Sequence, residues 1–96
     1  MMNKYESVVI VNPNLEEESI KALINKFSDL INTDGKVVSV DEKMGKRKLA
    51  YEIKKQKEGF YIVFKFEANP GLIAELERNF RITDEVLKFL VVREEE

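Results

Sequence analysis

The stretch KMGKRKLAYEIKKQK, residues 43–57, holds seven of the chain's sixteen Lys and Arg residues and one acid, Glu52. Its formal charge is +6, which leaves −8 on the rest of a 96-residue chain whose total is −2. Cations concentrated in this way can neutralise the phosphates of a polyanion, because each phosphate contact releases condensed counterions whatever the sign of the whole protein. The same pattern also fits a solvated hairpin, since Lys-rich strands and turns protect exposed sheet edges. Charge alone does not separate these readings.

Other chemistry is restricted by composition. The chain has no Cys and no His, which removes disulfides, thiol catalysis, the usual zinc ligands and His-dependent triads. Glu16, Glu17 and Glu18 could in principle hold a metal, but at the start of a helix they are explained by the positive end of its dipole. No metal, cofactor or catalytic residue is assigned. The N-terminus, MMNKYESVVIVNP, has no basic region followed by a long apolar run, and no segment approaches the roughly 20 apolar residues of a membrane span. The expectation is a cytoplasmic chain with no membrane partner.

The elements that must carry the basic stretch follow from periodicity. Residues 5–11 (YESVVIV) are short and β-branched, as strands are. Asn14 is placed to cap a helix with Glu17 as its capping-box partner, and Ile20, Leu23, Ile24, Phe27, Leu30 and Ile31 recur at helical spacing to about Asn32. Residues 36–43 read as a strand that continues as 49–55 after a bulge or bend at Gly45. Residues 54–59 (KKQKEG) read as a hairpin turn and 60–68 (FYIVFKFEA) as the returning strand. Asn69-Pro70 opens a second helix with an apolar stripe of Ile73, Leu76 and Phe80. Arg81 to Asp84 connect it to a last strand, 86–92. The order βαββαβ predicts an α+β, ferredoxin-like fold: a four-stranded antiparallel sheet with two helices on one face, in one domain over residues 1–93. The acidic residues 94–96 are expected to be a short solvated tail.

Strand alternation then indicates which face the helices leave open. Lys65 and Glu67 mark that side of the fourth element and carry Tyr61 and Val63 with them. Glu6 carries Val8 and Ile10, and Lys88 carries Leu90 and Val92. Their opposites, Val9, Val11, Ile62, Phe64, Phe66, Phe89 and Val91, go beneath the helices. A contiguous apolar patch of Val8, Ile10, Tyr61, Val63, Leu90 and Val92 on the open face is the mark of a protein-partner surface, although β-propensity also favours Val and Tyr on either face. Base stacking as in RNA-recognition motifs is poorly served: in EGFYIVFK only Gly59 and Phe60 fit the basic-Gly-aromatic-small-aromatic pattern.

Several blocks together resemble one family. Tyr5-Glu6, Asn12-Pro13, Gly45-Lys46-Arg47-Lys48-Leu49-Ala50-Tyr51 followed by Ile53, Gly59-Phe60-Tyr61, Glu75-Leu76-Glu77-Arg78 and Leu90-Val91-Val92-Arg93 look like bacterial small-subunit ribosomal protein six. The family's usual Trp before the Gly is Met44 here, and one residue is added between Gly35 and Gly45. The resemblance implies a ribosome-associated, non-enzymatic protein that binds the central domain of small-subunit rRNA together with small-subunit ribosomal protein eighteen. The RNA-binding positions it implies are Lys46, Arg47, Lys48 and Tyr51, with Lys4, Arg81 and Arg93 as additions near strand ends. Arg47 can form a bidentate phosphate contact, and Tyr51 offers a ring and a hydroxyl.

Two other classes fit less well. An acylphosphatase-type hydrolase needs an Arg-bearing phosphate loop after the first strand, where this chain has the acidic NPNLEEE. A ferredoxin-like small-molecule-binding regulatory module, the nearer alternative, typically uses glycine-rich strand-to-helix loops, and this chain has four Gly in all. No small-molecule substrate is expected.

Overall fold

A computed structural model describes residues 2–94. Its elements are β1 (Asn3–Val11), α1 (Glu17–Asn32), β2 (Gly35–Ile53), β3 (Gln56–Ala68), α2 (Pro70–Ile82) and β4 (Val86–Arg93). The strands form one antiparallel sheet in the order β2-β3-β1-β4. This is the expected ferredoxin-like arrangement. Both helices bury their apolar stripes against the same face of the sheet: Ile20, Leu23, Phe27 and Ile31 from α1, and Leu72, Leu76 and Phe80 from α2, meet Val9, Val11, Ile62, Phe64 and Phe66. Phe27 lies at the centre, edge-on to Phe80 at 4.7 Å and to Phe64 at 6.3 Å between ring centroids.

Local expectations fail in three places. Asn14 does not cap α1; Asn12 Oδ1 accepts the Asn14 N–H at 2.9 Å, a turn that spends the local polar groups before the helix begins. Glu16 is the cap residue and makes no side-chain cap bond, so the capping box with Glu17 is absent. The hairpin turn is Lys54-Lys55 alone, at φ 48° and 65°, rather than residues 54–59. Both residues take the left-handed conformation that a two-residue turn between right-twisted strands requires, and β3 starts at Gln56. Finally, the strand alternation breaks in β4. Ile10 pairs with Lys88 but Val11 pairs with Val86, so Leu87 is an extra bulged residue. It emerges on the open face, where strict alternation would have put it under the helices.

β2 is the longest element, 19 residues, and its pairing with β3 shifts register between Val37 and Ser39, between Asp41 and Gly45, and between Lys48 and Ile53. Each shift bends and twists the strand. Gly45, at φ +58°, sits in the second of them. Beyond the point where Val11 pairs with Phe60, the β2–β3 hairpin continues without β1 beside it and forms a projecting arm. At the other end, the Glu94 N–H donates to Lys4 O at 2.9 Å, so the tail is tied to β1 through its first residue; its remainder, 95–96, lies outside the described residues.

Candidate nucleic-acid interface

The basic block lies on the projecting arm, and the ladder divides it between two faces. Lys46 pairs with Phe60, Arg47 with Gly59 and Lys48 with Glu58. Paired residues in a ladder share a face, so Arg47 goes with Gly59 and Tyr61 to the open side while Lys46 and Lys48 go to the other. Arg47 Nε donates to Met44 O at 2.8 Å across the Gly45 bend, which ties the guanidinium there, and its terminal amino groups make no hydrogen bond or ion pair among the described residues. Glu58 stands opposite Lys48 and lowers the local positive potential there.

The arm does not project freely. It leans across the open face toward β4: Leu49 packs with Ile10 and Leu87 in a second apolar cluster, joined by Ile53 and Tyr61. Lys54 Nζ donates to Val86 O at 3.0 Å, and Lys88 Nζ donates to the Tyr51 hydroxyl at 2.9 Å while lying 5.2 Å from the centre of that ring. The bond to Tyr51 is the main cause that raises the Lys88 ammonium above the ordinary lysine pKa. Gly59 makes the approach possible, because a Cβ there would overlap Ile10 Cγ2 and come within 3.3 Å of Leu49 Cδ2.

Of the apolar patch, five of the six residues remain accessible in part. Val8 pairs with Val63 on one side and Leu90 on the other, and Asp41 pairs with Val63, giving a row Asp41–Val63–Val8–Leu90 across the sheet. Val92 lies in the next row beside Glu6, and Tyr61 in the row of Ile10. Leu90 and Val92 are exposed, whereas Ile10 retains only 8% of its surface because Leu49 and Leu87 cover it. Ile10 is therefore on the open face, as expected, but within a core of its own.

The remaining basic positions fall at two other places. Arg81 lies at the end of α2 with its guanidinium 5.6 Å from the Phe89 ring. Lys4 and Arg93 sit at the far end of β1, where Arg93 donates to Asn3 Oδ1 at 3.3 Å. From Lys4 to Ile10 the strand rises by about 20 Å, so Lys4 and Arg93 do not share a surface with Arg47 and Tyr51. Sequence reasoning missed Lys54 and Lys88. In the sequence Lys88 serves only as a marker of the solvent side, and its place two residues before Leu90, on the same side of the strand, is the available signal.

Comparison with known proteins bears on what this surface serves. The family model for Ribosomal protein S6 matches residues 4–93. The chain belongs to the ribosomal protein S6 family. It is 50% identical over 96 residues to small ribosomal subunit protein bS6 of Heliobacterium modesticaldum, covering 99% of each chain, and 51% identical over 94 residues to that of Clostridium novyi, covering 98% of this chain and 99% of the other. The crystal structure of 30S ribosomal protein S6 from Thermotoga maritima superposes with a TM-score of 0.89 at 36% identity, covering 98% of this chain and 89% of that one. Membership in the S6 family makes this a protein of the small ribosomal subunit, associated with the ribosome in the cytoplasm; the family is a structural one and not an enzyme family. Among the described residues no helix is long and apolar enough to cross a membrane.

Proposed function

We propose that this chain binds the central domain of small-subunit rRNA together with small-subunit ribosomal protein eighteen, with residues 1–93 as the binding domain. The observation that carries this reading is the division of the open side into two unlike surfaces: the row Val63–Val8–Leu90 with Val92, apolar and uncovered by helices, and the adjoining arm with Arg47 and Tyr51, joined by Lys88 of β4. An apolar row with an exposed end fits a protein partner, and exposed cations beside an aromatic ring fit an RNA backbone. Lys46 and Lys48, on the other face of the arm, add long-range attraction, while Lys4 and Arg93 contact RNA only if it extends along the length of β1.

The test is a pull-down from a ribosome-containing lysate, washed with increasing salt. Small-subunit rRNA and one small basic protein should co-purify, with the rRNA lost progressively as salt rises. Recovery of neither with the folded protein would overturn the proposal.

A further inference from the structure

Three cations from three separate elements converge beside β4, apart from the Lys46–Arg47–Lys48 block. Lys54 comes from the hairpin turn, Arg81 from the end of α2 and Lys88 from β4, and with Val86, Leu87 and Phe89 they line a groove of about 280 Å³. No carboxylate lines this groove, and none of the three is in a salt bridge among the described residues. Each is held by a neutral group instead. Lys54 Nζ reaches Val86 O at 3.0 Å and Asp84 O at 3.5 Å, Lys88 Nζ reaches the Tyr51 hydroxyl at 2.9 Å, and the Arg81 guanidinium lies over the Phe89 ring. Carbonyls, a phenol and a ring orient the cations without cancelling their charge.

We propose that this groove is a second RNA-contact site, in which Arg81 and Lys88, with Lys54 behind them, hold a backbone phosphate of RNA against the outer edge of β4. The proposal rests on the RNA-binding reading above and adds a site to it. Three donors that are already positioned lose little further side-chain entropy on binding, and the Arg81 fork can address two phosphate oxygens at once. Tyr51 and Phe89 flank the cations with aromatic surface, which suits a nucleotide better than an acidic peptide. The groove is also continuous with the Arg47 side of the arm through Tyr51 and Lys88, so one RNA strand can run from the arm along β4 to α2.

The experiment measures binding of a central-domain small-subunit rRNA fragment to the full chain over a salt series. Arg81→Gln with Lys88→Gln removes two groove charges and leaves the Lys54 tether; Lys21→Gln with Lys36→Gln removes two charges elsewhere. The groove pair should lower the magnitude of the salt slope by about 0.7 to 1.8, for one or two phosphates lost, and the distant pair should leave it near the wild-type value. Equal slopes for the two pairs would overturn the site while leaving the RNA-binding reading intact, and absence of binding by the wild-type chain would overturn that reading itself. A uridine hexanucleotide added to the isotopically labelled wild-type chain gives a readout that no folding defect can confuse. Amide shifts should appear at Arg81 and at residues 86–89; shifts confined to the arm, or a hexaglutamate peptide giving the same shifts at equal concentration, would assign the groove to something other than RNA.

Discussion

Gly59 shows how a single hydrogen in place of a methyl group shapes the interface. Ile10 Cγ2 branches directly from Cβ and cannot swing aside as the end of a long side chain would, so Gly59→Ala forces the arm away from the sheet. Overpacking of this kind costs about 1 to 3 kcal/mol, and the melting temperature should fall by about 4 to 8 °C per kcal/mol in a domain of this size. Ile10→Ala in the same chain vacates the contested space, so the double variant should melt higher than the sum of the two single effects requires. Strict additivity would show that the two residues do not meet. The Lys88–Tyr51 contact makes a second prediction at this scale. Because the folded-state pKa of Lys88 is raised, any stability that the contact provides is fully present below the unfolded value of about 10.4 and is lost as pH rises through the higher folded value. Its NMR titration midpoint should lie above that of an ordinary lysine and move back toward it in Tyr51→Phe; a midpoint indifferent to that change would mean that the hydroxyl is not its partner.

At the scale of the element, the arm is the distal part of a long hairpin whose first strand, β2, is bent by three register shifts, and it is held by a small cluster. Leu49 is the side chain that the arm itself buries between Ile10 and Leu87. Truncating a buried leucine costs about 2 to 5 kcal/mol where the site cannot collapse, but here much of the loss can be met by the arm lifting. Leu49→Ala should therefore raise amide exchange in residues 46–57 well above that of β1, and protease should cut there first. Uniform acceleration across the sheet would show instead that arm and sheet unfold together. The division of the basic block between two faces leads to a further expectation. Arg47 shares its side with Tyr51 and the open face, whereas Lys48 faces Glu58, so Arg47→Ala should weaken rRNA binding more than Lys46→Ala or Lys48→Ala. Equal losses would mean that the block acts only through its summed charge.

For the molecule as a whole, the sheet separates two kinds of apolar surface, and substitution by Asp distinguishes them. Leu90 is 58% exposed at the sheet edge, while Phe64 is 0% exposed between the helices. Leu90→Asp loses β-propensity on a scale of about 1 kcal/mol and should leave the fold intact while abolishing association with the protein partner, because an unpaired carboxylate against an apolar surface costs several kcal/mol. Phe64→Asp loses a core aromatic, about 3 to 5 kcal/mol, and buries a carboxylate as well, which together approach the 5 to 15 kcal/mol that hold a domain folded. It should unfold the chain. Val63 is a less clean probe than Leu90, since Asp41 pairs with it and would repel a second carboxylate. Thermal melts and partner co-elution of Leu90→Asp and Phe64→Asp check the assignment; a Leu90→Asp chain that melts with Phe64→Asp would place Leu90 in the core.

Element order, the sheet with its helices, and the side on which Val8, Val63, Leu90 and Val92 lie were legible in the chain alone, because the periods of 3.6 and 2 are local properties that survive wherever the backbone stays regular. The sequence also carried the family, through blocks spread along the chain. Long-range packing governs what happens where regularity stops. The β4 bulge sends Leu87 to the open face, and the shifts in β2 carry the arm across to cover Ile10. Gly59 reads as a turn glycine in the sequence because its partner, Ile10, is 49 positions away. Lys54, Arg81 and Lys88 likewise belong to separate elements in the sequence, and the bend that brings them to one groove depends on packing between strands that no local pattern records.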